Sequence, residues 1–217
     1  MYKSIAIDGP SGAGKSTISK LLADRISFEY LDTGAMYRSF TLYYLQNAID
    51  INDENLVNEH INEIDLDIVD GSFYLDGVNV DQEIRSQEVT LNVSLVSSYK
   101  AVREFLVKEQ RRISKSNNIV VDGRDIGSIV LPNASIKFFL TADPEVRAQR
   151  RFDQLEDTSL TFQEVLSDII RRDKLDSTRK ESPLIKAEDA IEIDSSYLTI
   201  EEVVELMIQY LEDKHVI

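Results

Sequence analysis

The stretch Gly9-Pro10-Ser11-Gly12-Ala13-Gly14-Lys15-Ser16-Thr17 constrains this chain more than any other. The apolar run Ser4-Ile5-Ala6-Ile7-Asp8 precedes it, and Ile18, Leu21, Leu22 and Ile26 follow at helical spacing. A strand, a glycine-rich turn and an amphipathic helix therefore succeed one another with the G-x-x-x-x-G-K-S spacing of a phosphate-binding loop. Glycines let the backbone curl so that its N–H groups face anionic oxygens, and the helix N-terminus adds partial positive charge at the same spot. The bland alternative is an ordinary glycine-rich β–α turn. Agreement of all three elements with the motif favours phosphate binding, with Lys15 placed to reach β- and γ-phosphates and the Ser16 hydroxyl to ligate Mg²⁺.

The rest of the chain alternates strands and helices around that turn. Phe28 to Asp32 reads as a second strand, Gly34 as a turn, and the residues beyond it as a helix through about Gln46. Met36, Phe40 and residues 43–45 are core, whereas Tyr37 and Arg38 are expected at the carboxyl edge of the sheet, where open α/β folds bind ligands. A polar surface helix is expected over about 53–63. Short strands over 65–69, 72–75 and 78–80, punctuated by Asp70-Gly71 and Asp76-Gly77, then read as antiparallel hairpins. They predict an insertion over 60–95, hung on a core of 1–59 and 96–217.

Residues 98–115 return to helix, with Val102, Phe105, Leu106 and Ile113 inward and Arg103 and Arg111 read by default as a solvated face. Ile119-Val120-Val121-Asp122 is a buried parallel strand that ends in an acid. Such an acid either holds Mg²⁺, directly or through water, or caps a helix. Arg124 and Asp125 follow it in a loop. After a strand over 136–140, Asp143-Pro144-Glu145 starts a helix that carries Arg147, Arg150 and Arg151 on one face. The cluster is either a surface ion-pair network or a phosphate clamp, and its place after a strand edge favours the clamp.

The polar loop 156–159 and the capping box Thr161–Glu164 lead to another helix, so that about 143–175 forms a helical lid. On that helix Arg172, Asp176 and Arg179 share a face, as an internal salt-bridge ladder or as groups presented to a nucleotide. A fifth strand over 190–194 and a last helix opened by Thr199–Glu202 complete the pattern. The fold expected is α/β: a three-layer sandwich on a five-stranded parallel sheet of P-loop kinase type, with a strand-rich insertion and a helical lid.

The net charge of −15 argues against nucleic-acid binding and makes local arginine clusters informative. The absence of cysteine excludes disulfides and thiolate metal sites. No apolar run approaches the ~20 residues of a membrane span, and the first strand begins too near Met1 for a signal peptide. A cytoplasmic monomer acting on small molecules is expected.

The loop 9–17, Leu31-Asp32-Thr33-Gly34-Ala35-Met36-Tyr37-Arg38, Asp122-Gly123-Arg124-Asp125-Ile126-Gly127, and Arg171-Arg172-Asp173 with Asp176, Arg179 and Pro183-Leu184 together resemble the bacterial cytidylate kinases. The resemblance implies transfer of the γ-phosphoryl group of ATP, with Mg²⁺, to CMP or dCMP. It implies that residues 9–17 hold ATP and that Arg147, Arg150 and Arg151 close over its phosphates. Ser94, Arg103 and Asp125 would read cytosine, Arg38, Arg124 and Arg179 would hold the acceptor phosphate, and Arg172 and Asp176 would contact the ribose. Thr33 and Tyr37 belong to the same CMP set. A kinase for another small acceptor, or a nucleotide switch with slow ATP hydrolysis, remains open beside this reading.

Overall fold

The structure, a computed structural model, describes residues 2–154 and 160–217. In chain order its elements are β1 (Ser4–Asp8), α1 (Lys15–Ile26), β2 (Glu29–Asp32), α2 (Thr33–Gln46), α3 (Glu54–His60), β3 (Leu66–Val69), β4 (Ser72–Leu75), β5 (Val78–Asn79), α4 (Gln87–Val96), α5 (Lys100–Ile113), β6 (Ile119–Gly123), β7 (Ile136–Thr141), α6 (Pro144–Asp153), α7 (Phe162–Thr178), β8 (Ile191–Asp194) and α8 (Ile200–Asp213). A single π-helical turn, Ile126–Val130, follows β6. The chain divides into two compact units, residues 1–31 with 114–217, and residues 32–113.

The first unit is built on a five-stranded sheet in the order β2-β6-β1-β7-β8, with β1 parallel to β6 and β7, and β7 parallel to β8. This is the expected parallel sheet with flanking helices. Ile5 and Ile7 of β1 pack with Val120, Phe138, Leu140 and Ile193 beneath Ile18 and Leu22 of α1 and Val203, Met207 and Leu211 of α8. Strand alternation then turns Ala6 and Asp8 to the opposite face. The capping boxes at Thr161 and Thr199 form as their sequences require, and Pro144 opens α6. Helices α6 and α7 pair through Ala148, Val165 and Ile169, against which Phe152 and Phe162 pack. The loop 156–159 expected to join them lies outside the described residues.

The second unit contains the three-stranded antiparallel sheet β3-β4-β5. Its turns, Asp70-Gly71 and Asp76-Gly77, take positive φ at both residues, the backbone of a two-residue hairpin. The segment 60–95 lies inside this unit and is not all strand: α4 occupies its end. Ser86 caps α4 at Val89, and Val89, Val93 and Val96 are its buried stripe. The β-branched content of that stretch conceals a helical period. Gly34, expected in a turn, is instead in the first turn of α2, because the Asp32 carboxylate caps the helix at the Ala35 amide.

Candidate active site

The phosphate loop joins β1 to α1, so the N-terminus of α1 adds partial positive charge beside it. Gly12 takes a φ of +76°, and a Cβ there would lie 3.2 Å from the Arg147 Cβ, so α6 packs directly on the loop. Lys15 is buried and its Nζ donates to the Pro10 carbonyl at 2.7 Å. Burial, then the neighbouring Arg124 guanidinium, push its ammonium down to about 7, while Asp122, Asp8 and Asp176 oppose that shift.

Asp122 lies opposite Ile7 in the β1–β6 register, which brings its side chain to the start of α1. One carboxylate oxygen accepts from the Ser16 hydroxyl at 3.2 Å and the other from the Tyr30 hydroxyl at 2.8 Å. Ser16 and Asp122 thus offer adjacent hard oxygen donors, the set that suits Mg²⁺, which takes one or two protein ligands and completes its shell with phosphate and water. Among the described residues no group of three or more His, Cys, Asp or Glu side chains is placed to hold a metal alone.

Two charged residues just beyond β6 pair with two at the C-terminal end of α7. Arg124 Nε donates to Asp176 at 2.9 Å, and Arg179 lies 3.6 Å from Asp125. These pairs link α7 to the 124–125 segment, and Arg179 places a cation beside Asp125. Burial disfavours charge on both Arg124 and Asp176. Their mutual attraction outweighs it, raising the guanidinium pKa and lowering that of the carboxyl. Arg172 adds a further positive charge near Asp176.

The three arginines of α6 are placed differently from one another. Arg147 is buried, donates to the carbonyls of Ala142 and Ser11, both at 2.8 Å, and pairs with Asp173 at 2.7 Å. Arg150 donates to the carbonyl and hydroxyl of Ser195, just beyond β8. Arg151 is exposed.

Within the second unit, Arg38 pairs with Asp32 at 2.9 Å. Thr33 and Tyr37 are buried on α2. Arg103 corrects the solvated-face expectation: it is only 4% exposed, donates to the Ser97 carbonyl at 3.1 Å, and its guanidinium sits 5.3 Å from the Tyr37 ring centre. The Ser97 hydroxyl in turn donates to the Ser94 carbonyl at 3.2 Å, so Ser94, Arg103 and Tyr37 belong to one cluster.

Asp8, Tyr30 and Asp173 were not singled out by sequence reasoning. Asp8 accepts the amides of Ile126 and Gly127, each at 2.7 Å. It carries the same signal that marks Asp122, an acid closing a hydrophobic strand. Tyr30 and Asp173 carry no such local signal.

A loop of phosphate-binding spacing with a lysine, an acid beside it and a flank of paired arginines, on a five-stranded parallel sheet, is the arrangement of a P-loop kinase fold. The shikimate kinase of Bacteroides thetaiotaomicron shares the fold at a TM-score of 0.50, over 97% of this chain and 98% of that one, with 15% identity. The family model for cytidylate kinase matches residues 5–213. The cytidylate kinase of Fusobacterium nucleatum is 48% identical over 210 residues, covering 96% of each chain. That of Clostridioides difficile is 50% identical over 203 residues, covering 93% of this chain and 94% of its own. The chain belongs to the cytidylate kinase family.

Proposed function

We propose that this protein transfers the γ-phosphoryl group of ATP to CMP or dCMP, giving ADP with CDP or dCDP. The observation that carries the reading is the pairing of the half-buried Arg124 and Arg179 with the buried carboxylates of Asp176 and Asp125, with Arg124 and Asp176 in electrostatic reach of Lys15. Two guanidiniums and two carboxylates next to a phosphate loop suit an acceptor that is itself a phosphate carrying polar groups. An alcohol acceptor does not call for them.

The acceptor oxygen belongs to a phosphate monoester, already largely ionised at neutral pH. No general base is required. One of its oxygens bonds to the γ-phosphorus as the bond to the β–γ bridging oxygen breaks, and the leaving electron pair stays on ADP. Catalysis is then alignment and charge neutralisation. Residues 9–17 hold the ATP phosphates and Lys15 offsets charge on the transferred group. Arg147 fixes the loop from α6, with Arg150 and Arg151 on the same helix, and the α6–α7 pair serves as lid. Arg124 and Arg179 hold the acceptor phosphate, Asp125 the base, and Arg172 and Asp176 the ribose. The family resemblance assigns Thr33, Tyr37, Arg38, Ser94 and Arg103 to CMP as well. Mg²⁺ entering with ATP would be held by Ser16 and by Asp122, directly or through water, and supplies charge neutralisation on the phosphates. No helix among the described residues is long and apolar enough to cross a membrane, and the proposal places a monomeric enzyme in the cytoplasm.

Diphosphate formation measured with CMP, dCMP, UMP, AMP and a small alcohol acceptor tests the reading. The cytidine nucleotides are expected to lead the panel. Turnover dominated by another acceptor, or ATP hydrolysis indifferent to acceptor, would overturn it.

A further inference from the structure

Asp122 lies near the end of β6 and is only 3% exposed. A carboxylate taken so far out of water needs donors on its oxygens. Among its partners are two hydroxyls from different elements, one on each oxygen. Ser16, in the first turn of α1, donates to one oxygen at 3.2 Å. Tyr30, on β2, donates to the other at 2.8 Å, the shorter of the two bonds. The sheet order sets β2 beside β6. The Tyr30 ring is half-buried and packs against the core that contains Leu22 and Val120. Packing thus holds the ring while its hydroxyl reaches the carboxylate.

We infer that Tyr30 is a positioning residue for the cation that enters with ATP: its hydroxyl fixes the orientation of the Asp122 carboxylate and keeps the second oxygen turned to Ser16. The inference rests on the assignment of Ser16 and Asp122 to Mg²⁺. A carboxylate bonded at one oxygen can still turn about its side-chain torsions. Bonded at both, to groups on separate elements, it turns only by breaking one bond. The Ser16 hydroxyl keeps its lone pairs when it donates to Asp122, so this bond leaves it able to serve as a ligand. Mg²⁺ demands near-ideal octahedral geometry, which makes the orientation of such a carboxylate matter. Partners that orient a metal's ligands in this way are worth about 10- to 100-fold in metal affinity.

Tyr30→Phe deletes the hydroxyl and keeps the ring. The probe is Mn²⁺, which suits the same octahedral oxygen set and whose free ion is counted by EPR. Its affinity is measured for the protein holding a non-hydrolysable ATP analogue. Affinity for the analogue in EDTA is measured beside it, with thermal unfolding as the check on folding. Tyr30→Phe should weaken Mn²⁺ binding ~10-fold and change analogue binding in EDTA by less than ~2-fold. Two results overturn the inference. Mn²⁺ affinity equal to wild type would mean that the hydroxyl only helps to dock β2 on β6. Equal loss of both affinities would mean that it shapes the loop and not the metal site. If Tyr30→Phe does not fold, Tyr30→Met, which replaces the phenol by a flexible apolar chain, decides on the same split. Asp122→Asn tests the assignment beneath: if it keeps wild-type Mn²⁺ affinity, Asp122 does not hold the metal and the inference fails with that assignment. If Asp122→Asn loses Mn²⁺ affinity and Tyr30→Phe does not, the inference alone fails.

Discussion

The Asp173 carboxylate of α7 accepts the backbone amide of Ser11 inside the phosphate loop at 3.2 Å and also pairs with Arg147 at 2.7 Å. Arg147 closes the triangle by donating to the Ser11 carbonyl. One loop residue is thus held at both its N–H and its C=O by groups from the two helices of the expected lid.

This triangle makes Asp173 a support for the loop. Asp173→Ala removes the partner of a buried guanidinium, which in partly solvated pairs costs ~1–3 kcal/mol. Urea denaturation should report a loss in that range, and KM for ATP should rise as Arg147 loses its orientation. Unchanged stability together with unchanged KM would show the triangle to be incidental.

Lys15 supplies charge without supporting the core. It hydrogen-bonds only locally, to Pro10, and burial already disfavours its charged form. Lys15→Ala should therefore cut kcat by ~10²-fold or more, as removal of other charge-stabilising donors does, with an unfolding midpoint no lower than wild type. Near wild-type turnover would remove Lys15 from the mechanism.

Gly9 is fixed by space as well as by backbone. Its φ is +154°, and a Cβ would lie 2.0 Å from the Leu140 carbonyl oxygen, with no flexible group able to yield. Gly9→Ala should push β1 off β7 and destabilise the protein by at least ~2 kcal/mol. A crystal structure of a stable Gly9→Ala protein with unshifted strands would contradict this.

The Asp8 carboxyl offers a pH test. Its ordinary value of 3.8 is pushed up to about 6, first by burial and further by Asp125, against the pull of the Gly127 and Ile126 amides and Lys15. Between these values the native state keeps a proton that the unfolded chain releases, so this group's contribution to stability falls as pH rises. Asp8→Asn cannot titrate. The stability difference between the two proteins should therefore shift in favour of the variant by about 2 kcal/mol from about pH 4.5 to 7. Denaturation curves at both ends check it, and a constant difference would mean that Asp8 is charged throughout.

What the sequence made legible was local. The phosphate loop, the Asp-Gly hairpins and the capping boxes at Thr161 and Thr199 each specify their geometry within a few residues, and the structure has them all. The partners of the site were not legible in the same way. Tyr30 reaches Asp122, and Asp173 reaches Ser11, only because strand order and helix packing join distant segments. The burial of Arg103 escaped for a related reason. A helix wheel shows which face a residue occupies, but not that Tyr37 of another helix covers it. The π turn after β6 has no composition cue of its own and depends on Asp8 for its first amides.

Base choice turns on Asp125. Cytosine presents an N4 amino donor where uracil presents an O4 acceptor, so a carboxylate accepts from the first and is repelled by the second. Asp125 is buried and has Arg179 at 3.6 Å. A buried polar group left unmatched by the wrong base costs ~1–3 kcal/mol. Wild type should accordingly prefer CMP to UMP by at least ~10-fold in kcat/KM, the low end of that range. Asp125→Ala should depress CMP activity far more than UMP activity and shrink the ratio. If Asp125 instead serves only to neutralise Arg179, the same substitution leaves a guanidinium unbalanced for either acceptor. Both activities then drop by one factor, and an unchanged ratio assigns Asp125 to charge balance in place of base recognition.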